Sequence, residues 1–134
     1  MHGQGIPGAD PSTGEIAVGS TILRMVEKDL DRRNMDPKPA EFAIAGESIE
    51  STHVYHSKDG RTNGVWECTP GRTLDEQRVE DEFCTMPAGR VELIDNNTGT
   101  REIFEAGDSF FLARGSDLTW VIYETVRKLD RVVG

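Results

Sequence analysis

The sequence predicts an all-β domain, a sandwich or a barrel. Three observations carry this. Apolar runs of alternating character recur about every ten residues from Glu41 onward. Glycine-containing turn signals separate them. The chain has 134 residues, of which 36% are hydrophobic, enough for one core and too few for several.

The elements follow in order. "EFAIAG" alternates and ends at Gly46, and "STHVYHS" runs into the turn signal Asp59-Gly60. "GVWECTPG" closes at Pro70-Gly71. "EFCTMPAG" and "RVELI" read as two strands with a tight turn at Gly89, and Asp95 to Gly99 is a turn rich in asparagine. "REIFEAGD" closes at Gly107, "SFFLARG" at Gly115, and "LTWVIYETVRKL" is the longest strand-like run. "RTLDEQRVED", from Arg72 to Asp81, reads as a solvated loop or as a supplier of oxygen ligands. Upstream, "ILRMV" at Ile22 to Val26 fits a short strand. With Leu30 it also fits a helix, since Ile22, Leu23, Val26 and Leu30 have helical spacing. Pro37 and Pro39 break any regular element after it. Residues 1–20, rich in glycine and proline, are expected to be a mobile N-terminal segment, with residues 21–134 as one domain.

Fifteen basic residues stand against 24 acidic ones, a formal charge of −9. That balance argues against nucleic acid, whose binding is driven by basic groups displacing counterions. No run approaches the ~20 apolar residues of a membrane span, and no apolar leader is visible at the N-terminus. Two cysteines, Cys68 and Cys84, are too few for a disulfide scaffold and do not form a zinc pair. Together these features predict a cytoplasmic protein with no nucleic-acid or membrane partner.

"GVWECTPGR", "DEFCTMPAGRVEL", "EAGDSFFLARG" and "TWVIYETVRKL" resemble, in order and spacing, the small single-domain cupins of the RmlC-like class. The resemblance is to uncharacterised cupins grouped with the cupin domain of (S)-ureidoglycine aminohydrolase and with the ethanolamine-utilisation cupins. It covers about Glu41 to Val133. It implies a double-stranded β-helix, or jelly-roll barrel, with a cavity at its mouth. It also favours the strand over the helix for Ile22 to Val26, at a sheet edge or against a partner subunit. A homodimer is expected, because such cupins usually pair and sheet edges gain from pairing; light scattering at the mass of one chain would refute it.

Metal-binding cupins carry a His-x-His pair, a glutamate and a further histidine. Glu82, separated by six residues from Gly89, fits the glutamate's place. The paired histidines' places fall on Asp75 and Gln77, or on Glu76 and Arg78, depending on the gap. Leu118 stands where the resemblance puts the last histidine, and a leucine has no lone pair to give. The resemblance therefore implies no transition metal and no cofactor. A hard ion held by oxygens of Asp75, Gln77 and Glu82 is the remaining metal possibility. His53 and His56 fall on opposite faces of a strand and read as ordinary strand or surface residues, and His2 lies in the N-terminal segment.

Alternation then assigns faces. Glu82 and Cys84 point inward together, as do Leu118, Trp120 and Ile122. Trp66 is placed inward with Cys68, and Glu67 outward. Trp66, Glu82, Cys84, Leu118 and Trp120 are thus the candidate ligand-binding residues. Glu82 is the candidate catalytic group and is expected to be neutralised by Arg90 or Arg72. "ETVRK" reads as a charge pair on the outer face of the last strand. The expected function is binding of a small metabolite, partly apolar and with one positive or hydrogen-bond-donating group, without a transition metal. The alternative is an enzyme on a small polar metabolite, of aminohydrolase, isomerase or epimerase type, with Glu82 as acid, base or metal ligand.

Overall fold

The computed structural model describes residues 22–30 and 38–134. The described strands are β1 (Lys38–Pro39), β2 (Ala43–Ala45), β3 (Ile49–Lys58), β4 (Arg61–Cys68), β5 (Gly71–Asp75), β6 (Asp81–Asp95), β7 (Arg101–Glu105), β8 (Ser109–Leu112) and β9 (Leu118–Val133). Every pairing is antiparallel. They form one curled sheet, an all-β jelly roll. Among the described residues no helix is long and apolar enough to cross a membrane. The expectation of a mobile segment at residues 1–20 lies outside the described residues.

β9 organises the sheet. Its N-terminal part pairs with β5 (Asp75↔Leu118 to Gly71↔Ile122) and its C-terminal part with β4 (Cys68↔Val126 to Arg61↔Val133). Its other edge pairs with β6 along nearly the whole length. Such a strand is covered on both edges and needs inward apolar residues at every second position. Leu118, Trp120, Ile122 and Val126 supply them and are all buried in the core, with Cys68, Met86, Val91, Leu93 and Leu112.

The tight turn expected at Gly89 is absent. β6 runs straight through it as one bent strand, with its register on β9 shifting between Thr85 and Val91. β8 pairs with its first part and β7 with its second. Gly89 has φ of 105°, and a Cβ there would lie 2.5 Å from Val126 Cα and 2.6 Å from Thr125 O. The glycine marks a bulge and a close backbone approach, where the sequence pattern suggested a reversal.

Two other expectations are corrected. Ile22 to Val26 is not a strand. The segment is pinned instead by Tyr55, whose hydroxyl donates to Asp29 Oδ2 at 2.5 Å and accepts from Val26 N–H at 2.9 Å. Arg127 ties it again, bridging Glu27 (2.6 Å) and Glu67 (2.7 Å) on the outer face of the sheet. Side-chain anchors thus replace the ladder bonds of a strand. The stretch after Pro70, read as a possible loop, begins with β5, because Gly71 to Asp75 finds partners on β2 and β9.

Candidate functional site

The inward alternation of β9 does not stop at Val126. Lys128 is next on that face, directly across from Trp66 on β4, and is only 7% exposed. Its ammonium lies 4.8 Å from the Trp66 ring centre and 5.3 Å from that of Trp120. The two rings meet edge to face at 5.6 Å. The ammonium donates to Glu82 Oε2 and lies 3.4 Å from Asp130 Oδ2. Lys128 is therefore not half of an outer charge pair. Arg127 is the outward member of that run, on Glu67.

Glu82 is inward, as its spacing indicates, and 5% exposed. Its partners differ from those expected. Arg78 Nη2 donates to Oε1 at 2.7 Å, Lys128 holds Oε2, and the Cys84 thiol donates to the same Oε2 at 3.1 Å. Arg90 is elsewhere, on Glu105 at 3.3 Å. Arg78 also binds Asp75, which accepts from Trp120 Nε1–H at 3.3 Å. Three carboxylates, Asp75, Glu82 and Asp130, thus face two buried cations in one network.

The electrostatics follow from this crowding. Burial pushes the Glu82 pKa up, but Lys128, Cys84 and Arg78 more than offset it and hold it at about 2. Burial pulls Lys128 down, yet the charges of Glu82 and Asp130 leave it above its ordinary value. Burial raises Asp130 and, strongly, the Cys84 thiol; Cys68 is pushed up to about 11. A depressed carboxylate stabilises the fold fully above its unfolded pKa and loses that effect as pH falls toward the folded one. From 4.5 down to about 2, protonating Glu82 should therefore remove on the order of 3 kcal/mol. Urea melts across that range should show this loss in the wild type and a shallower slope in Glu82→Gln. Equal slopes would show that Glu82 is not the titrating group.

A cavity of about 170 Å³ opens beside this network, lined by Phe42, Glu50, Trp66, Asp75, Trp120 and Lys128. The structure brings together Trp66 and Trp120 on its wall, with Glu82 and Cys84 behind Lys128. Leu118 is separate: it lines a second cavity, of about 580 Å³, on the other side of Trp120. His53 is on the outer face against Tyr55, ring centres 4.7 Å apart, and His56 is exposed.

The residues do not fit a metal. The described residues contain no group of three His, Cys, Asp or Glu able to hold an ion. The guanidinium of Arg78 occupies the space between Asp75 and Glu82. Gln77 is exposed, with its backbone N–H on Asp117. Two fixed positive charges against Glu82 would repel a third.

An antiparallel jelly roll with an inward glutamate on β6 and a cavity beside it fits the cupin class. A family profile for the EutQ-like cupin domain matches residues 56–129, and the chain belongs to that family. Solved structures agree on the fold. A protein of unknown function from Pseudomonas syringae superposes with a TM-score of 0.66 at 24% identity, over 74% of this chain and 44% of that one. The EutQ protein of Clostridium difficile gives 0.57 at 15% identity, over 64% and 68%. A putative ethanolamine utilization protein Q from Salmonella typhimurium gives 0.55 at 16%, over 74% and 96%. The chain thus spans less than half of the Pseudomonas protein. No curated protein matches it.

Proposed function

We propose that this cupin binds a small organic cation, or a neutral hydrogen-bond donor, without a metal. The observation that carries the reading is the cavity in which Trp66, Trp120 and Phe42 meet the carboxylates of Asp75 and Glu50. Aromatic faces attract a cation or an aliphatic body, and with the network behind the wall four carboxylates, Glu50, Asp75, Glu82 and Asp130, face two cations, Lys128 and Arg78. At about 170 Å³ the space is below the ~300–1,000 Å³ usual for drug-sized ligands, which limits the occupant to a small metabolite.

The charge network argues against the enzyme alternative. A general acid or base needs a pKa near the working pH. Glu82 is held at about 2 and Lys128 above its ordinary range. The Cys84 thiol is pushed up, so it is no nucleophile near neutrality. On this reading the network positions and balances charge.

The test is a thermal-shift series with short aliphatic amines, amino alcohols and the matching carboxylates, with EDTA and then with added Mn, Ni, Zn and Mg. An amine at ~100 times its Kd should stabilise the protein by about 2.7 kcal/mol, with or without EDTA. Trp66→Leu and Asp75→Asn should abolish the shift. Stabilisation by carboxylates alone, or only with an added metal, would sink the reading.

A further inference from the structure

The second cavity shares no described lining residue with the first. The two are parted by an aromatic wall, Phe110 against Trp120 at 5.9 Å, edge to face. Phe104 backs Phe110 at 4.6 Å with the rings tilted by 32°. The floor of this second space is hydrocarbon: Leu93, Leu112 and Leu118 are buried beside the two rings, while Phe111 and the polar residues form its exposed sides. Its volume of about 580 Å³ falls within the usual range for a small-molecule site.

The mouth is built and held. Three loops meet there, around residues 76–80, 96–100 and 113–117. Asp117 joins all three: Oδ1 accepts from Gln77 N–H at 2.6 Å, Oδ2 from Asn97 Nδ2 at 3.3 Å, and its carbonyl from Asn96 N–H at 2.8 Å. Arg78 N–H donates to Ser116 O at 3.1 Å, and Gly115 N–H donates to Arg78 O at 2.7 Å. A mouth tied this way costs little to organise when a ligand arrives.

Its chemistry selects. Hydroxyls of Thr98, Thr100 and Ser116 line the mouth. Thr98 donates to Thr100 Oγ1 at 3.0 Å, which leaves the Thr100 proton without an acceptor among the described residues. Asp95 and Glu102 are the charged lining residues, and no basic side chain is among those described. Anions are disfavoured there, and a charged head would lose its hydration in the apolar interior.

We propose that this cavity is a second binding site, for a neutral, ring-bearing apolar molecule whose carbonyl or hydroxyl oxygen accepts from Thr100 at the mouth. The aromatic wall takes the ring, and the acidic lining residues turn away carboxylates. The site does not depend on the amine site beyond Trp120, so either can stand without the other.

The test uses N-phenyl-1-naphthylamine, a neutral ring probe whose fluorescence rises in apolar surroundings. The wild type should bind it with a large gain in emission. Thr98→Trp, an exposed position that fills the mouth without touching the core, should weaken binding about tenfold or more. Val54→Ser, at an exposed apolar position on β3 that lines neither cavity, and Trp66→Leu, at the first cavity, should leave binding unchanged. No gain in the wild type overturns the proposal. So does a gain that survives Thr98→Trp. Loss in Val54→Ser would place the probe on the outer surface, and loss in Trp66→Leu would place it in the first cavity; either overturns the second site.

Discussion

Lys128→Met will cost about 3 kcal/mol or more of stability, at the lower end of the ~3–5 kcal/mol typical for breaking a buried ion pair. The change keeps most of the volume and removes the charge that holds Glu82 and Asp130. Glu82 keeps Arg78 and Cys84, but one oxygen loses its strongest partner in a site with little access to water. The aromatic rings lose the ammonium between them. For a domain of this length the melting temperature should fall by roughly 10 °C. The double variant Glu82→Gln with Lys128→Met should be more stable than the single one, because it leaves less uncompensated charge behind. A double variant that loses the sum of the two single losses would mean that the pair is not coupled, and the site as described would be wrong.

Gly89→Ala is the second large effect. The backbone there has φ of 105°, outside the regions open to residues with a Cβ. The added carbon would also meet the backbone of β9, at Val126 and Thr125, and backbone cannot rotate away as a side chain can. Strain of this kind costs about 1–3 kcal/mol before the clash is counted, so the variant should melt at least several degrees lower or accumulate as insoluble protein. Ala88→Gly, one residue away, is the control and should cost much less. A Gly89→Ala protein as stable as wild type would show that β6 and β9 do not approach as described.

These two positions also show where the sequence was legible. The motif spacing of the resemblance puts Glu82 and Leu118 inward, and strand alternation extends that to Cys84, Trp120 and Ile122, all of them buried. The same rule, carried ten residues beyond Leu118, reaches Lys128. A lysine is so rarely buried that an outer salt bridge is the easier reading of that position. Glycine serves turns and bulges alike, and only the partner strand tells the two apart at Gly89. Arg78 could not be chosen over Arg90 or Arg72, since its approach to Glu82 depends on how the loop after β5 folds back. Ile22 to Val26 is apolar enough for a strand, but Tyr55 and Arg127, distant in sequence, decide its conformation.

The arrangement of β9 has a consequence for timing. It is the strand through which β4, β5 and β6 are joined, and it follows all the other described strands in the chain. Until residues 118–133 have left the ribosome, the earlier strands have no common partner, the ammonium of Lys128 is missing, and Glu82 has half of its counter-charge. The barrel must form late and nearly all at once, from contacts far apart in the chain, a topology that makes folding slow and leaves apolar strands waiting in the open. In a crowded cell, the exposure of this protein to chaperones is set by that interval.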